Sequence, residues 1–277
     1  MVIDFHTHSF PDELADRAVG RLAQSGGIHN YLDGRVTSIQ KSMKKAGIDY
    51  SILLPIATKP SQHTTINDIA VTTNDTFRES GLISFGTIHP DNEDYRDILR
   101  NLSKKGVPGI KLHPVFQRTN IDDPRYLNII SCAFDNDLIV SIHCGIDISF
   151  PNCDEASVER IANMIKEVPP RKLVLAHMGG WGMYNEVCDK LIGTPGVWLD
   201  TAFVLRNSPD FYFLSKEKFV DMVRTHGTDH ILFGTDSPWS DQSETLKLIR
   251  ESGLNNDEIR MILGDNAARL LDTFFSH

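Results

Sequence analysis

Apolar residues gather into short aliphatic or β-branched runs along the chain, and between the runs they space out at helical intervals. The runs are VIDFH (2–6), SILLPI (51–56), LISFGTI (82–88), GIKLH (109–113), LIVSIH (138–143), KLVLAH (172–177), VWLDTA (197–202) and HILFGTD (230–236). Each is short for a helix and apolar almost throughout, the pattern of a strand buried on both faces. Between them Val158, Ile161, Ala162, Ile165 and Val168 fall on one helical face. Pro11 with Asp12 and Glu13 behind it suits a helix first turn. Past the last run, Ile259, Ile262, Leu263, Ala267, Leu270, Leu271 and Phe274 continue the stripe and predict extra C-terminal helices. Eight strand–helix units without a linker, repeat or low-complexity segment predict one α/β domain over residues 1–277, a (β/α)8 TIM barrel. An open doubly wound sheet is the alternative, but no GxGxxG follows the first run.

The length of 277 residues fits such a barrel, for which about 250 is typical. Net charge is −9, and the longest basic clusters are Lys44-Lys45 and Lys104-Lys105, so a nucleic-acid partner is not expected. Apolar stretches such as ILL at 52–54 fall far short of the roughly 20 residues of a membrane helix. The first residues lack the basic and apolar regions of a secretory signal, with Asp4 among them. Cys132, Cys144, Cys153 and Cys188 form no CxxC pair and read as buried thiols, which points to a reducing cytoplasm. A small-molecule substrate is expected, and a homo-oligomer is left open.

The candidate chemistry sits where a barrel keeps its active site, at the C-terminal ends of the strands. Run one ends at His6 and His8, run three at His89, run four at Lys111 and His113, run five at His143, run six at His177 and run eight at Asp236. Neutral imidazoles and a carboxylate suit Zn²⁺, and Mn²⁺ or Fe²⁺ tolerate the same donors. Residues two apart on a strand share a face, so Asp4 is expected one step deeper beneath His6 and His8. There it either orients a ligand imidazole or makes a buried hydrogen bond.

DFHTH at 4–8, GIKLHP at 109–114, SIHCG at 141–145, LAHMGG at 175–180, LFGTDSPW at 232–239 and GDNAARLL at 264–271 resemble the amidohydrolase superfamily. They are most similar to its "amidohydrolase 2" branch of metal-dependent hydrolases and decarboxylases. The resemblance implies one divalent ion on His6, His8, His143 and Asp236, with His177 beside the metal-bound water. In binuclear relatives a carboxylated strand-four lysine bridges two ions, and Lys111 occupies a position for that alternative. On the one-ion reading Lys111 keeps its ammonium group for an anionic substrate group, and His113 lines the same pocket.

A bound ion lowers the pKa of water toward about 7. Asp236 would take the proton and return it to the leaving group, while His177 polarises the scissile carbonyl or stabilises the oxyanion. Arg206, in LDTAFVLRN, is either a second anchor for an anionic substrate or a solvated loop cation. Hydrolysis is the leading expectation and non-hydrolytic decarboxylation the second. A phosphoesterase of the polymerase-and-histidinol-phosphatase type is less favoured, because the late motif is Thr235-Asp236-Ser237-Pro238. Trp181 and Trp239 are expected to line the pocket and Gly179-Gly180 to make a tight turn. His29, His63, His226, His230 and His277 are expected away from the mouth.

Overall fold

Nine strand segments carry the eight runs: β1 (Ile3–Thr7), β2 (Tyr50–Leu53), β3 (Leu82–Ser84), β4 (Gly86–Thr87), β5 (Gly109–Leu112), β6 (Ile139–Ile142), β7 (Leu173–Leu175), β8 (Val197–Asp200) and β9 (Ile231–Leu232). They belong to a computed structural model that describes residues 1–206 and 213–275. All paired strands are parallel and neighbours in sequence, in the orders β1-β2-β3 and β4-β5-β6-β7-β8-β9.

The third run is one expected strand split in two at Phe85, and side chains explain the break. Asn74 bonds both the N–H and the C=O of Ser84, and Asn67 does the same for Thr87. These amides, from the helix His63–Asp75, satisfy strand backbone that would otherwise need ladder partners. Phe85 still donates to Leu53 O at 2.9 Å, so the run stays beside β2. At the other edge Phe5 N donates to Phe233 O (2.7 Å) and Asp236 N to His6 O (2.8 Å), which sets the continuation of β9 alongside β1. The architecture is a TIM barrel.

Alternation along the strands sorts two cores. Val140 and Ile142 of β6 pack outward with Ile161 and Met164 of the helix Val158–Glu167. Ile139 points the other way and packs with Ile3, Phe5, Phe85, Val174 and Leu232, plugging the barrel interior. The short C-terminal helices Asn266–Leu270 and Asp272–Phe275 add Leu270 and Phe274 to that plug. Among the described residues no helix is long and apolar enough to cross a membrane.

Candidate metal centre

The plug's alternation continues upward into polar residues. Ile139 is followed on the same face by Ser141 and His143, and Trp198 by Asp200. Lys111 pairs with Ser141 in the register of β5 and β6. His177 and Asp236 lie just past β7 and β9, each with left-handed backbone (φ 57° and 64°). Such conformations are uncommon outside glycine, and two of them at one barrel mouth mark it as a functional site. Gly145 shapes the rim: its φ is +86°, and a Cβ there would stand 2.3 Å from the Trp181 backbone nitrogen. The loops after β6 and β7 therefore close on each other, joined by Trp181 N to Cys144 O at 3.0 Å.

Three acceptor atoms converge at this mouth. His6 Nε2 and His8 Nε2 are 3.1 Å apart, and Asp236 Oδ1 lies 3.4 Å from the first and 3.1 Å from the second. Their partners fix the tautomers. His6 Nδ1 is 2.8 Å from Asp200 Oδ2, and His8 Nδ1 is 2.9 Å from the Leu54 carbonyl oxygen. Carboxylate and carbonyl oxygens only accept, so both Nδ1 atoms carry hydrogen, and it is Nε2 of each ring that turns toward Asp236, a lone pair in the neutral tautomer. Such a cluster requires a cation: a proton serves one pair, whereas a divalent ion serves all three. Ligands about 2.0–2.1 Å from a tetrahedral Zn²⁺ stand about 3.3 Å apart, close to the spacing here. The rings meet at 76°, so their in-plane lone pairs can share one point. These residues fit a metal ion.

Charge is arranged to keep the donors ready. Burial, helped by the Lys111 charge, pushes His6 down to about 4, against the pull of Asp200 and Asp236. Burial alone would raise the Asp200 carboxyl, but His6, His177 and Lys111 hold it well below the usual range. Asp236 is likewise raised by burial and lowered further by His8, His6 and His177, for a net fall. Burial pushes the Lys111 ammonium below its ordinary value, while Asp200 and Asp236 pull it up. Lys111 Nζ is buried with no hydrogen-bond partner among the described residues.

A second group, His113, His143 and Asp147, also brings ligand-type atoms together, with His113 Nε2 3.6 Å from Asp147 Oδ2. Its geometry is poor for a metal. The His113 and His143 rings are stacked 4.1 Å apart at 10°, so their in-plane lone pairs run parallel and never meet. Phe116 covers the other face of His113 at 4.0 Å and 11°. This three-ring stack fixes the orientation of His143. His177 Nδ1 donates to Ala202 O (2.8 Å), leaving Nε2 to accept from His143 Nδ1 at 3.1 Å. His143 Nε2 is then a buried lone pair without a partner among the described residues.

The family model Amidohydro_2, described as amidohydrolase, matches residues 3–273. The chain belongs to the amidohydrolase family. No curated protein matches it in sequence. An uncharacterised TIM-barrel protein from Bordetella bronchiseptica is 17% identical with a TM-score of 0.77, with 98% of each chain covered. The 5-carboxyvanillate decarboxylase of Sphingomonas paucimobilis is 14% identical at 0.70, covering 98% of this chain and 99% of its own. A Pseudomonas putida protein assigned as a 2-pyrone-4,6-dicarboxylic acid hydrolase is 16% identical at 0.69, with 100% and 98% covered. At these identities the likeness is one of fold.

In this member of the family the mouth opens into a cavity of about 780 Å³ lined by His6, His8, Lys111, His113, His143, His177 and Asp236, with Trp181 and Trp239 in its walls. His143 stands outside the close trio of His6, His8 and Asp236. Arg206 is not in the lining: its guanidinium donates to Trp239 O at 3.0 Å and lies over the Phe203 ring. His89 is also outside the lining, its Nδ1 accepting from Asp91 N. Asp4 departs from the expected shared face. The β1 register shifts between Asp4 and Thr7, which turns the Asp4 carboxylate to Thr235 and to Gln242 of the helix Gln242–Arg250. The imidazole partner is instead Asp200, which sequence reasoning passed over. It ends β8 within the seventh run, VWLDTA, and its one signal was a carboxylate closing an apolar strand. Gly179 and Gly180 follow a tight turn in which Met178 has φ 53°. His29, His63, His226 and His230 lie outside the lining, and His277 lies outside the described residues.

Proposed function

We propose that this protein is a metal-dependent hydrolase of a small molecule, with one divalent ion on His6, His8 and Asp236 and His143 Nε2 as the fourth donor. Zn²⁺ suits this donor set best. The observation that carries the reading is the convergence of His6 Nε2, His8 Nε2 and Asp236 Oδ1 within 3.4 Å of one another. A bound divalent ion would polarise a carbonyl and lower the pKa of water toward about 7. Asp236, held ionised, accepts the proton from the attacking water and delivers it to the leaving group. His177, whose Nε2 accepts from His143 Nδ1, sits beside the reacting centre and keeps the His143 Nε2 lone pair free for the ion. Lys111 Nζ, without a hydrogen-bond partner among the described residues, binds an anionic group of the substrate at the cavity floor, and His113 positions His143 through the ring stack. The reducing cytoplasm, without nucleic acid or membrane as partner, is the proposed setting.

Decarboxylation of an unsaturated or aromatic acid is the second reading, favoured by the structural likeness to the 5-carboxyvanillate enzyme. Metal analysis of freshly purified protein, then turnover of lactones, amides and carboxylated rings, separates the two by product. One ion per chain and water incorporation into product are expected. Asp236→Asn should lower turnover by at least about 100-fold, the scale of a lost proton carrier. Carbon dioxide release would move the assignment to decarboxylase. Two tight ions, reduced to one or none by Lys111→Ala, would replace this site with one bridged by a carboxylated lysine.

A further inference from the structure

We infer that the substrate is amphipathic: one polar head at the metal centre and an uncharged, hydrocarbon-rich body in the outer cavity. This deepens the proposed function and rests on it for the head alone. Two independent features support the body. The first is the charge of the lining. Among the described residues Lys111 is the only lysine or arginine in the cavity wall, and it sits at the floor beside the histidines. The acids Asp12 and Asp147 line the cavity too. A second anionic group on the substrate, away from the floor, would meet carboxylates and no cation.

The second feature is apolar. Leu14 and Leu22 from the helix Asp12–Gly26, Ile66 and Ile69 from the helix His63–Asp75, and Ile146 and Ile148 from the loop after β6 face the same space. Five large apolar residues are exposed among the described residues: Met1, Leu14, Tyr31, Ile69 and Phe150. Leu14 and Ile69 line this cavity, and Phe150 packs edge-on to Phe116, which does as well. Exposed hydrocarbon gathered at the rim of a deep cavity marks a binding surface rather than scatter. About 780 Å³ is the size of site that encloses a drug-sized ligand, with room beyond a single ring.

The test is a series of straight-chain alkanehydroxamic acids, from acetyl to decanoyl, bound to the protein with and without Zn²⁺. Trp181 and Trp239, two of the three tryptophans, lie in the wall and provide a fluorescence readout independent of activity. Affinity should rise by up to about fourfold per methylene, the value of burying a CH₂ group. The rise should appear with and without the ion. Zn²⁺ should strengthen every member by a common factor, so absence of that factor would count against the metal reading and leave the wall standing. A terminal carboxylate on the octanoyl member should weaken binding at least tenfold. Leu14→Asp and Ile69→Asp, both at exposed positions, should flatten the chain-length slope. Affinity independent of chain length, or equal binding of the carboxylated member, would overturn the inference. So would a dimer that covers Leu14 and Ile69 and abolishes the chain-length effect.

Discussion

Asp200 acts on the metal centre without touching the converging point. Its Oδ2 takes the hydrogen of His6 Nδ1, and its Oδ1 accepts from His177 N (2.9 Å) and Ala202 N (3.1 Å). Asn at this position cannot reproduce the set. With its oxygen toward His6, its NH₂ faces two backbone donors. With its NH₂ toward His6, the ring must move its proton to Nε2 and loses its ligand lone pair. Asp200→Asn should therefore weaken Zn²⁺ binding by about 10- to 100-fold, the usual cost of losing a partner behind a ligand. Competition with a chromophoric chelator measures it, and unchanged affinity would remove Asp200 from this role. His6, His8 and Asp236 were legible because polar residues at the ends of apolar strands stand out. Asp200 is equally terminal, but VWLDTA is not among the motifs that carry the family resemblance, whereas LFGTDSPW, with Asp236, is. Of the two roles open to Asp4 the buried hydrogen bond is the one found, and its turn away from the His6 face was not legible because a register shift inside a five-residue strand leaves no mark in the pattern.

At the scale of elements, the mouth depends on how loops are tied to one another. Gln117, in the short helix Pro114–Gln117 after β5, is the main tie. Its Nε2 donates to Ala57 O (2.9 Å) and Ile88 O (2.7 Å), and its Oε1 accepts from His113 N (3.0 Å) and Tyr126 OH (2.6 Å). One buried amide thus joins the loops after β2, β4 and β5 and holds the base of the ring stack. Gln117→Leu keeps the volume and strands four polar groups, so it should destabilise the fold by about 3 kcal/mol. Urea unfolding followed by circular dichroism reads this, and a loss below about 1 kcal/mol would show that water replaces the amide. All eight strands were visible as apolar runs, because burial on both faces writes itself into residue type. The split of the third run was not, since it depends on Asn67 and Asn74 in a helix facing it.

For the whole molecule, metal binding is expected to add stability without creating the fold. The interior plug of Ile3, Phe5, Ile139, Val174 and Leu232 lies apart from the donors and packs without them. Chelation should leave the far-ultraviolet spectrum unchanged and lower Tm, by an amount equivalent to about 2.7 kcal/mol when the free ion had been at 100 times its Kd. Collapse of secondary structure on chelation would contradict this. The donors also lie far apart in sequence: Asp236 follows His6 and His8 by more than 220 residues. The backbone bonds that seat β1 against residues 233–237 span the same separation. An ion held by all three is therefore a clasp across the barrel's last seam. During synthesis or refolding the clasp has nothing to grip until that seam has closed, so metal uptake should trail the burial of the interior and report the finished ring.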